Sequence, residues 1–132
     1  MNPYLLFSTR LMLGLVWAYN GLWLKVLHPS PEHLAVVQGL GLGSWVAAPA
    51  LLMLIGWGET LLAVGIWSGF YHRFVSWFQL TILLLMNLVG ILFSHAIEQP
   101  GHLLVQNLPL FFCILTVARY GPGFPFSGSA RQ

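Results

Sequence analysis

The stretch LLMLIGWGETLLAVGIWSGF, residues 51–70, decides the fold. It is long enough to cross a bilayer, since a spanning helix needs about 20 largely apolar residues. Its one ionisable side chain, Glu59, stands at its middle, in a chain with only three acidic residues. A carboxylate at that depth is costly, so it should turn inward and find a partner. The segment therefore reads as part of one helix, about residues 49–70, of a membrane bundle rather than an isolated anchor.

Working outward, three further segments have the same character: residues 4–27, 72–94 and 102–120. Only 6% of the chain is charged, against roughly 25% in a soluble domain. Such a chain cannot cover a water-facing surface, and its mean hydropathy is +0.80. The expected fold is all-α, a polytopic four-transmembrane-helix bundle over residues 1–120, with a flexible Gly/Pro/Ser-rich tail at 121–132. Between the first two spans, Ser30 can cap a helix and Pro31 suits its first position, so a short interfacial helix is expected at 31–38. The first span has no basic region ahead of it and no evident cleavage site, so it reads as retained. A net charge of +2, scattered along the chain, excludes a nucleic-acid footprint.

Arg73, Arg119 and Arg131 fall on the side that holds the N-terminus, and only Lys25 on the other. Both termini are therefore expected in the cytoplasm. A single cysteine, Cys113, allows no internal disulfide and no two-cysteine relay within the chain.

Depth counted at about 1.5 Å per residue places polar groups in two layers. Arg10, Glu59 and Gln79 form an inner layer, in which Arg10 is the best-placed ionic partner of Glu59. Asn20, Asn87, Gln106 and Asn107 form an outer one. Two readings stay open. The pair and the amides can be packing glue. Alternatively, Glu59 can carry a proton or bind a ligand, with Trp17 and Trp57 as deep indoles lining a quinone or lipid-like site. Trp17 shares a helix face with Arg10, Gly14 and Gly21. Trp23, Trp45, Trp67 and Trp77 are expected nearer the interfaces. The small-residue pattern at Gly65 and Gly69 suits a helix contact, including one between copies of the chain.

On the outer side, Lys25, His28, Glu32, His33, His95, Glu98 and His102 are expected to ring a mouth. Histidine and carboxylate together suit zinc or copper, but no pair has the spacing of a metal motif, and no metal site is assigned.

The segment RLMLGLVWAYNGLWLKVLHPSPEHL, residues 10–34, resembles the opening of the DoxX-like membrane proteins through Arg10, Tyr19, Gly21, Leu22, Lys25, His28, Pro29 and Glu32. Gly56 with Glu59, and Asn107 with Leu108, match later elements in the same order. The resemblance implies a four-helix bundle in a bacterial inner (plasma) membrane. It also implies association with membrane oxidoreductase systems, including thiosulfate:quinone oxidoreduction and thiol or oxidative-stress systems. The favoured expectation is a small redox-associated subunit that binds a quinone-like or other apolar ligand inside the bundle. The alternatives are a non-enzymatic partner or assembly subunit that docks a membrane or periplasmic redox protein, and a small transporter or metal-handling protein.

Overall fold

A computed structural model describes residues 1–41, 47–93 and 100–123. The described chain is helical, with no strand among the described residues. Helix α1, Pro3–Ala18, starts at Asn2, whose side chain accepts the Tyr4 N–H at 2.9 Å, with Pro3 at the first position. It runs without a break into a π-helical segment, Tyr19–Leu27. The span expected at 4–27 is thus helical throughout, but its last third winds more widely. The short helix α2 follows at Pro31–Gly39, then α3 at Ala48–Ser68, α4 at His72–Phe93 and α5 at Pro100–Tyr120. Helix α3 stops at Gly69, whose φ of 72° is the left-handed conformation that favours glycine. The α3–α4 connection is only that residue and its two successors.

By length and composition, α3, α4 and α5 can each cross a membrane. Helix α3 lies along both α1 and its π continuation, α4 lies along α5, and α1 also meets α5, so the long helices close on one another. Helix α2 packs across α3 and α4. The core where they meet contains Leu13, Trp17, Leu62, Ala63, Ile66, Leu80, Leu83, Ile114 and Val117. Outside it, the surface is apolar: Leu54, Leu61, Phe74, Leu84 and Phe112 are exposed on the outer faces of α3, α4 and α5. A soluble domain buries such side chains; in hydrocarbon they meet a solvent of their own polarity.

The close approach of α3 to the π segment depends on two glycines. A Cβ on Gly21 would stand 2.6 Å from the Gly56 carbonyl oxygen and 2.7 Å from the Glu59 Cβ. A Cβ on Gly56 would stand 2.7 Å from both the Gly21 carbonyl oxygen and the Lys25 Cβ. Each helix thus has a glycine where the other has backbone and the stem of a charged side chain.

Candidate functional site

That crossing holds the charged centre of the bundle. The Lys25 Nζ donates to Glu59 Oε2 at 2.7 Å and to the Asn20 carbonyl oxygen at 3.3 Å. Each side chain of the ion pair is only 3% exposed. The expected Arg10–Glu59 pair is therefore replaced by Lys25–Glu59, and Lys25 does not belong to an outward mouth. The reason lies in reach. Lys25 is near the end of its helix, but its stem passes over Gly56, where no side chain obstructs it, and delivers the ammonium to Glu59 at the middle of α3. The second carboxylate oxygen, Glu59 Oε1, is buried with no hydrogen-bond partner among the described residues.

One stripe along α1 and its π continuation prepares this arrangement. Arg10, Gly14, Trp17, Gly21 and Lys25 are all buried, at spacings of three or four residues. Gly14 accommodates the Trp67 indole, whose N–H donates to the Leu11 carbonyl at 3.2 Å. Trp17 Nε1 donates to Gln79 Oε1 at 3.1 Å, joining α1 to α4. Replacing Gln79 by Leu strands a buried indole N–H and should cost about 1–3 kcal/mol, read as a lower unfolding midpoint in detergent. Trp17→Phe in that background should cost little more on the hydrogen-bond account, since the bond is already gone.

Arg10 lies at the other end of the stripe, 2% exposed, its guanidinium over the Phe7 ring at 5.4 Å. It faces a cleft whose polar lining also includes His72, Ser76 and Gln79, with Gly65 and Gly69 on the α3 wall. The enclosed part of this cleft has room for about one water-sized group. Ser76 is 1% exposed, and its Oγ has no hydrogen-bond partner among the described residues. The gathering of Arg10 with Gln79 is where the inner layer was expected. His72 and Ser76 were not singled out, although Ser76 and Gln79 are one turn apart on α4.

The remaining expected positions separate. Trp57 is 49% exposed and lines no interior site. It is two residues, about 200°, around the helix from inward-facing Glu59. Asn87 is buried and accepts from Asn107 Nδ2 at 2.9 Å, tying α4 to α5. Asn20 donates to the Val16 carbonyl on its own helix, and Gln106 is exposed, so only Asn87 and Asn107 of the four amides are seen to join one another.

The residues expected at the outward mouth are described only in part. His28 packs its ring against Trp23 with centroids 4.1 Å apart, while Glu32 and His102 are exposed. His95 and Glu98, like Trp45, lie outside the described residues. Among the described residues, no three His, Cys, Asp or Glu side chains come together as metal ligands.

His33, on α2, is half-buried, and its Nδ1 has no hydrogen-bond partner among the described residues. Burial pushes its pKa below the ordinary histidine value; Lys25 adds to the drop and Glu32 opposes it. The unfolded chain therefore holds this proton more readily than the folded one. Stability is present above the ordinary histidine value and is lost as pH falls through it toward the folded value. Between about pH 7.5 and about pH 5, the wild-type protein should lose more thermal stability than His33→Gln.

These features define a class: a small all-helical membrane protein with a glycine-flanked ion pair buried at a helix crossing. A model of the DoxX-like family matches residues 14–115, and the chain belongs to that family. The matched region contains Gly21, Lys25, Gly56 and Glu59, the four residues of the crossing. No curated protein and no solved structure matches the chain.

Proposed function

We propose that this DoxX-like protein is a small redox-associated membrane subunit that holds a quinone-like or other apolar ligand by its polar end, inside a four-span bundle. The helix over residues 3–27 is the fourth span, α2 lies at the membrane surface, and both termini are cytoplasmic, in a bacterial inner membrane. The observation that carries the ligand reading is the Arg10–His72–Ser76–Gln79 cleft, which gathers hydrogen-bond donors apart from the Lys25–Glu59 pair. A ligand would place one oxygen in the enclosed part and leave its apolar body along the helices, in lipid. Electrons would come from a membrane or periplasmic partner, because one cysteine does not make a thiol relay.

A second reading draws on the Lys25–Glu59 pair, whose charges satisfy one another. On that reading the pair only pins the helices, and the chain is an assembly subunit for such a partner. Extraction and mass spectrometry of protein purified in its native lipid separate the two. A stoichiometric apolar molecule, reduced in Ser76→Ala, supports the ligand site. Bare protein that co-purifies with a stable membrane partner supports assembly instead.

A further inference from the structure

The ligand reading leaves open what chemistry the cleft selects, and four observations bear on it. First, Arg10 is a donor-only cation that does not deprotonate in a protein. Second, the orientation of the Gln79 amide is set by its neighbour. Trp17 Nε1 can only donate, so the oxygen of Gln79 must face it, and the Gln79 NH2 remains as a donor toward the cleft. Third, Ser76 is buried in the cleft wall with its hydroxyl unpartnered among the described residues, so its proton is available to an acceptor. Fourth, the end of the bundle that contains the cleft also has Arg73 and Arg119, whereas the three acidic residues of the sequence, Glu32, Glu59 and Glu98, all lie elsewhere along the chain. Among the described residues that line it, the cleft thus offers donors and positive charge and no carboxylate.

We infer that the Arg10–His72–Ser76–Gln79 cleft binds an anionic oxygen group of the phosphate class rather than a neutral carbonyl. This rests on the ligand reading above, in its form of an apolar ligand other than a quinone, and names the chemistry of the ligand's polar end. Charge-assisted hydrogen bonds from guanidinium, hydroxyl and amide to an oxyanion are stronger than the same bonds to a ketone oxygen. The anion is either the phosphate ester of a lipid, whose acyl chains follow the apolar grooves, or free phosphate arriving from the adjacent aqueous phase.

Native mass spectrometry of the full chain in detergent tests this with four probes: short-chain phosphatidic acid, the matching diacylglycerol, inorganic phosphate and decylubiquinone. Phosphatidic acid should bind and diacylglycerol should not. Ser76→Ala should weaken binding about tenfold, the size expected for one hydrogen bond to a charged group. Arg10→Gln should weaken it further. Ser76→Ala removes a single buried oxygen, so it remains informative if Arg10→Gln fails to fold. Competition by inorganic phosphate identifies the free anion as sufficient; no competition identifies the lipid. Equal binding of phosphatidic acid and diacylglycerol, or no effect of Ser76→Ala, overturns the inference. Binding of decylubiquinone alone overturns it while leaving the ligand reading intact. Binding of none of the four removes both.

Discussion

Replacing Lys25 by Met should destabilise the protein by about 3–5 kcal/mol, because it strands a carboxylate that is 3% exposed at the centre of the bundle. The size follows from an asymmetry. Forming a buried pair gains little net free energy, since desolvating both charges offsets their attraction. Removing one partner leaves the other desolvated and uncompensated. Glu59→Leu should be similarly severe, because it abandons the ammonium. The double variant Lys25→Met/Glu59→Leu should recover most of the loss, since hydrocarbon side chains of similar volume suit the site. Denaturant or thermal unfolding in detergent reads all three. Additive losses in the double variant would contradict the pairing of Lys25 with Glu59.

The second large effect belongs to the glycines beneath the pair. Gly21→Ala and Gly56→Ala should each cost about 1–3 kcal/mol or more, the range for overpacking a close interface. The new methyl on Gly21 meets the Gly56 carbonyl oxygen at 2.6 Å, and backbone cannot move aside as the end of a flexible side chain can. The Lys25–Glu59 geometry would be disturbed in the same event, since those Cβ atoms border the two glycines. Gly58→Ala is the control: nothing lies within 4 Å of its added Cβ. It should be neutral or stabilising by up to about 1 kcal/mol through helix propensity. Equal losses at all three glycines would show that the crossing is not where the helices meet most closely.

The contrast between these residues shows what the sequence could reveal. Apolar runs marked the helices at 49–70, 72–94 and 102–120 to within a few residues, because length and composition decide them. The inward turn of Glu59 was legible from cost alone. Its partner was not. Depth counted along a regular helix assigns Lys25 to the rim and says nothing of a long stem directed inward, or of a π segment. The stripe Arg10, Gly14, Trp17, Gly21, Lys25 was the available signal, since it sets Lys25 on the face that already contained the buried glycine. Trp57 was misplaced because hydrophobic depth was weighed without helical phase. The cleft at Arg10 was half legible: Gln79 was already grouped with Arg10, while Ser76, one turn away, is a residue that helices also use as filler.

The functional account stands on the helix over residues 3–27 crossing the membrane, because that helix supplies both Arg10 to the cleft and Lys25 to the ion pair. Site-directed labelling in sealed membrane vesicles of known orientation tests this most directly. In a Cys113→Ser background, single cysteines at Asn2 and Ser129 are probed with a membrane-impermeant thiol reagent. Four spans predict that both sites react from the cytoplasmic face. Reaction of the two sites from opposite faces would mean an odd number of crossings, and the arrangement of cleft and ion pair proposed for the membrane would not stand.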